Sequence, residues 1–148
     1  MSRFRPLVAL LSLAGCLHPQ RASVLPLATP DDVTPVVRAL AAQGYLPQLV
    51  DERSGLVATE WRQSGFCAHP RTPPKSSRSA MVSSRYLATV EGNRVTLRAD
   101  NQCCLGETLS FGDLMMRGDC VARDGLTEDE QLQLDALGHR VAAAVGPR

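Results

Sequence analysis

Five cysteines and three histidines hold most of the reactive chemistry in this 148-residue sequence. Cys16 follows Leu13-Ala14-Gly15, Cys67 has His69 two places on, Cys103 and Cys104 are adjacent, and Cys120 stands further along. A thiolate can be acylated, oxidised to a disulfide or bound to a metal, and spacing helps to decide between these fates. The Cys67-x-His69 spacing is tighter than that of common zinc fingers, and no Cys-x-x-Cys is present, which speaks against a structural zinc site and against a dithiol redox centre. After Cys16 an even number of cysteines remains, and in an exported domain that implies two disulfides. Three pairings are open. A Cys103–Cys104 bond would close a strained ring. Successive strand residues point to opposite faces, so the adjacent pair is expected to reach apart, one sulfur to Cys67 and the other to Cys120. The spacing does not say which goes where.

Other groups that could do chemistry are weaker. Asp135 and His139 stand four apart on a helical stretch, the spacing of an ordinary surface pair. Asp51, Glu52 and Glu60 cluster around one hairpin, where acids commonly serve the turn. No Gly-x-Ser-x-Gly, His-Glu-x-x-His or phosphate-binding glycine loop occurs, so the sequence names no catalytic residue, no cofactor and no metal ligand set. Arg117-Gly118-Asp119 spells an adhesion tripeptide of a kind that chance produces often. Trp61, the only tryptophan, is expected to anchor the core, the alternative being an exposed contact residue.

The segment before Cys16 begins with Arg3 and Arg5 and continues as a short apolar run from Pro6 to Leu13. That run is about half of the ~20 residues needed to span a bilayer. A basic start, a short apolar stretch and small residues at the end describe an export signal. Leu13-Ala14-Gly15-Cys16 resembles the lipobox of bacterial lipoproteins. That resemblance implies cleavage after Gly15, a diacylglycerol on the Cys16 sulfur and an acyl chain such as palmitate on the new amine. One buried chain holds weakly and two or more hold firmly, at about 0.8 kcal/mol per buried CH₂. It also implies a place in the bacterial cell envelope. Leu17 stands where an Asp tends to retain such proteins at the inner membrane, so the outer membrane, facing the periplasm, is expected.

The rest of the chain is nearly neutral: 16 basic side chains, two of them in the leader, stand against 15 acidic ones. A nucleic-acid binder would show a clustered basic excess. The length suits one domain, and few aromatics force a core of Val, Leu and Ala. Residues 1–15 are expected as the signal, 16–28 as a polar, Pro-bearing tether and 29–148 as the domain.

Within that domain, Thr29-Pro30-Asp31-Asp32 or Thr34-Pro35 starts a helix with Val33, Val37, Leu40 and Ala41 on one face, ending at Gly44. Tyr45 to Asp51 and Leu56 to Arg62 read as strands around a turn at Gly55. Met81 to Val90 and Arg94 to Asp100 alternate with a period of two and form a second hairpin at Glu91-Gly92-Asn93. Leu109-Ser110-Phe111 and Cys120-Val121-Ala122 are candidate short strands. Thr127 and Glu130 match a capping box for a last helix with Leu134, Leu137, Val141, Ala144 and Val145 on its stripe.

These elements predict an α+β domain. Its antiparallel sheet has four to five strands, an N-terminal and a C-terminal helix pack on one face, and disulfides staple it. Gly44-Tyr45, Asp51, Gly55, Thr59 and Trp61, with the helix before them, resemble the helix-grip units of BamC-type envelope lipoproteins over residues 29–62. That resemblance implies an accessory role without catalysis. The expected partners are the membrane, through Cys16, and an envelope protein. Two alternatives stand beside this one. One is an inhibitor or immunity lipoprotein that blocks a hydrolase with the Cys67 to Ala80 loop. The other is a metal-binding envelope protein using Cys67, His69 and the remaining thiols.

Overall fold

A computed structural model describes residues 16–68, 80–105, 107–108, 114–115 and 120–147. The signal segment, His69, Leu109-Ser110-Phe111 and Arg117-Gly118-Asp119 lie outside the described residues. Chain order is β1 (Ser23–Pro26), α1 (Thr34–Ala42), β2 (Pro47–Asp51), β3 (Leu56–Thr59), β4 (Arg62–Phe66), β5 (Ala80–Glu91), β6 (Arg94–Leu105), β7 (Glu107–Thr108), β8 (Leu114–Met115), β9 (Cys120–Ala122) and α2 (Glu128–Val145).

The β5–β6 hairpin is the axis of the molecule. Its register runs unbroken from Glu91↔Arg94 to Ala80↔Leu105. Even-numbered residues of β5 and odd-numbered residues of β6 share one face, and there Tyr86, Ala88, Val90, Val95 and Leu97 are buried. Around it the sheet is ordered β1-β6-β5-β3-β2, all antiparallel, with β4 added beside β5 and β9 beside β6. Seven strands exceed the four to five expected. The strands beyond that expectation are β1 and β4, both short; β9 is the candidate strand at Cys120-Val121-Ala122. No helix among the described residues is long and apolar enough to cross a membrane.

Both helices lie on the same face of this sheet. Val36 and Leu40 of α1 and Leu134, Leu137 and Val141 of α2 join Leu25, Val57, Ala88 and Leu97 in one buried cluster. Helix α1 starts at Thr34, with Pro35 in the first turn, where a missing N–H costs nothing. The Asp32 carboxylate accepts the Thr34 N–H at 2.9 Å. Helix α2 starts with the expected capping box: Glu130 N–H donates to Thr127 Oγ1 and Thr127 N–H to Glu130 Oε2. Gly138 lets α2 press onto β1, because a Cβ there would meet Ser23 Oγ at 2.8 Å. Ala144, expected on the stripe, is exposed, and Val145 is buried.

The expected tether is the main correction. Residues 16–28 are part of the fold. Strand β1 pairs with β6 from Ser23↔Leu97 to Pro26↔Arg94, and Leu25 and Leu27 are buried. The polar and Pro residues that suggested a linker occupy an edge strand, where proline is tolerated because one side of the ladder is open.

Candidate functional site

Cys103 lies on the helix-facing side of β6 and Cys104 on the other side, as their alternation requires. Cys103 bonds Cys67, just beyond β4, and Cys104 bonds Cys120, its register partner on β9. The expected divergence of the adjacent pair therefore holds, and the order is now fixed. Strands β4 and β6 flank β5, so two strand spacings, about 9.5 Å in a flat sheet, would separate them. Cys67 and Cys103 have Cα atoms only 6.0 Å apart, so the sheet curls toward the helix face at this end. With these four sulfurs bonded in pairs, none is left as a thiolate for a metal. Among the described residues no group of His, Cys, Asp and Glu is arranged to hold one. Cys16 is free and exposed.

A polar cleft of about 250 Å³ opens where the helices stop covering the sheet. Its floor is the helix-facing side of β5 and β6, with Ser84, Tyr86 and Asn101; Tyr45 and Arg62 form one wall and Glu130 of α2 the other. A bulge builds it. Strand pairing runs to Ala58↔Leu87 and resumes at Arg62↔Ser84, so four steps on one strand face three on β5. The extra residue moves Arg62 onto the cleft side. It also interrupts the ladder, and the Thr59 hydroxyl takes over by accepting the Tyr86 N–H at 2.9 Å. Bulges re-aim side chains in this way.

The same slip corrects the expectation for Trp61. Without it Thr59 and Trp61 would share the core face. With it Trp61 lies on the opposite face, half-buried, under the Arg85 guanidinium at 4.4 Å from the ring centroid. Arg85 also pairs with Asp100, its register partner, at 2.8 Å. Trp61 lies on the uncovered face of the sheet, whose edge strands β1 and β2 carry the exposed Val24 and Leu49.

The cleft groups are positioned by their neighbours. The Tyr45 and Tyr86 rings meet edge to face at 4.8 Å. Arg62 lies over the Tyr45 ring at 5.2 Å, donates to the Gly44 carbonyl and pairs with Glu60 at 3.2 Å. Glu130 is paired with Arg123 at 2.8 Å. Burial raises the Tyr86 hydroxyl's pKa well above the tyrosine range, helped by Tyr45, so it stays a neutral donor. Asn101 is 5% exposed, and its Oδ1 has no hydrogen-bond partner. Among the described residues the lining includes no His, Lys or Cys. It offers hydroxyls, amides and aromatic faces, which suit recognition of a neutral polar group by hydrogen bonding.

The acids singled out in the sequence have structural work. Asp51 accepts the Arg53 N–H at 3.0 Å and the Ser54 hydroxyl at 2.8 Å, and these bonds lower its pKa. Glu52 is exposed in the same turn, and Glu60 serves Arg62. Asp135 takes Gln131 Nε2 at 2.9 Å and faces Arg21 at 4.0 Å, rather than acting with His139. Sequence reasoning missed Asn101, Tyr45 and Arg62 as a group. They come from separate elements, and only the bulge, which leaves no local signal, brings Arg62 in.

Compared with known proteins, the chain matches no protein-family model, no curated protein and no solved structure.

Proposed function

We propose that this chain is an exported lipoprotein of the bacterial cell envelope. Acyl chains on Cys16 hold it, and its domain binds a partner without chemistry of its own. The division of labour among the cysteines carries this reading. Cys16, directly after the lipobox tripeptide, is free and exposed, and the other four are consumed in two disulfides. Disulfides of that kind belong to oxidising compartments, which an export signal reaches. The polar cleft supports a binding role, since its charged groups, Arg62 and Glu130, are held in ion pairs with Glu60 and Arg123. The order α1-β2-β3 supports the helix-grip resemblance of residues 29–62 and the accessory role it implies. Leu17 after the cysteine favours the outer membrane, facing the periplasm.

The test is membrane fractionation of the whole protein and of Cys16→Ser. The parent should leave membranes only with detergent, and the variant should stay unprocessed or appear soluble. A parent that washes free in salt contradicts the anchor. In cells crosslinked before lysis, Arg62→Ala should weaken the parent's adducts if the cleft is the binding surface.

One observation favours the inhibitor reading as the alternative. Cys67 N–H donates to the Ala80 carbonyl at 3.0 Å, and Cys67 is bonded to Cys103. The two ends of the Cys67 to Ala80 loop are thus pinned together, as a loop that plugs a cleft requires. Deleting residues 70–78 would abolish inhibition of a hydrolase and leave the fold intact.

A further inference from the structure

We infer that the domain sits directly on the bilayer, seated on the end formed by Leu17, Pro19 and the first turns of α2. This rests on the reading of Cys16 as the anchor and adds an orientation to it. The reason is the length of free chain, which is almost none. His18 exchanges both backbone hydrogen bonds with Leu126, at 2.8 and 2.9 Å. Gly125 makes that contact feasible: its φ is +98°, and a Cβ there would lie 2.4 Å from the His18 carbonyl oxygen. Further along, the buried Gln131 side chain grips Arg21 from both sides, accepting its N–H and donating to its carbonyl, each at 3.0 Å. Gln20 donates to the Ala99 carbonyl at 2.8 Å.

Cys16 stands two residue steps from the first of these fastenings, at His18, a reach of about 7 Å. An acylated sulfur at residue 16 therefore lies within a side chain's length of the folded body, and the body must touch the lipid surface that the acyl chains enter.

The surface at that end fits the role. Leu17 is 45% exposed and Leu132 58% exposed, and a cleft of about 460 Å³ is lined by His18, next to Leu17, and by Pro19, Leu126, Gln131 and Leu132. Glu128 in the same lining and the neighbouring Asp129, both exposed, resist burial in hydrocarbon, and Arg21, also exposed, offers phosphate a partner. The contact is therefore interfacial: Leu17 and Leu132 reach the headgroup–acyl boundary and the carboxylates stay in water. The opposite end is marked by Asn93, whose carbonyl accepts the Leu27 N–H, close to where Ala28 bonds Val145 at the far end of α2. That end faces away from the membrane.

The test uses the lipidated full-length protein in vesicles of phosphatidylethanolamine and phosphatidylglycerol, spin-labelled at Leu132→Cys or at Asn93→Cys. A second pair of variants carries a long Gly/Ser insert between Cys16 and Leu17. The label at 132 should be relaxed more by oxygen, which partitions into lipid, than by a water-soluble nickel complex. The insert should reverse that order, and the label at 93 should show the aqueous order throughout. The intact mass of each sample reports the acyl groups. Acylated protein whose label at 132 is aqueous with and without the insert overturns the seating and leaves the anchor standing. Protein without acyl groups on Cys16 overturns both.

Discussion

The two ends of the β5–β6 hairpin are held by different physics. Near the Gly92-Asn93 turn, Ala88, Val90, Val95 and Leu97 are buried under both helices in the main core. At the other end, among the described residues, Ala80, Cys103 and Leu105 form a small second cluster, with Cys67 packed against it. There the two disulfides take over, one on each face of β6. Among the described residues apolar burial is smaller at this end, and covalent bonds add to what it supplies. The polar cleft lies at the junction between the two regimes, where the sheet is still buried from one side and already open from the other.

The largest effect should come from the helix-covered end. Leu97→Ala or Leu134→Ala removes a side chain with no exposure and should cost about 2–5 kcal/mol. In urea the midpoint should fall with the slope unchanged. A loss below ~1 kcal/mol would show that this end is not the main store of stability.

The stapled end should respond next, and in order of loop length. Removing Cys67–Cys103, which spans 36 residues, should cost roughly 3.8 kcal/mol, and removing Cys104–Cys120, which spans 16, roughly 3.1 kcal/mol, by chain entropy alone. Paired Cys→Ser variants measure both. In either, amide exchange at Val82 and Gln102 should accelerate by a larger factor than at Ala88 and Leu97. Equal acceleration would erase the distinction between the ends.

At the junction, Thr59→Val should leave the buried Tyr86 N–H without its acceptor, at a cost of about 1–3 kcal/mol. It should also loosen the bulge, which a change in the Trp61 emission spectrum would report. An unchanged stability and spectrum would mean that the hydroxyl is not what holds the slip in place.

The smallest effect belongs to Tyr86 and is read on the alkaline side. Its folded-state pKa lies above the ordinary value of 10. The folded state therefore holds its proton longer than the unfolded state. This contribution is fully present below pH 10 and is lost as pH rises from there toward the folded value. Tyr86→Phe should flatten the alkaline limb of stability against pH. An identical limb in both proteins would point to other groups.

What could be read in advance was local. The hairpin turns at Gly55 and Gly92, the capping box at Thr127 and Glu130, and the opposed directions of Cys103 and Cys104 each follow from a few adjacent residues. Strand β1 could not be read that way, because Ser23 finds its partner at Leu97, far along the chain, and its four residues carry little alternation. Strand β4 is polar and exposed and exists because β5 offers an edge. Trp61 and Arg62 exchanged faces through one extra residue, and with them went the only chance of seeing the cleft.

The account depends most directly on what residue 16 carries. The intact mass of the protein extracted from its native membrane should match a chain that begins at Cys16, bears a diacylglycerol and an amide-linked acyl chain, and lacks two hydrogens for each of its two bridges. A mass that retains the leader, or one that leaves the Cys16 thiol unmodified, would contradict it.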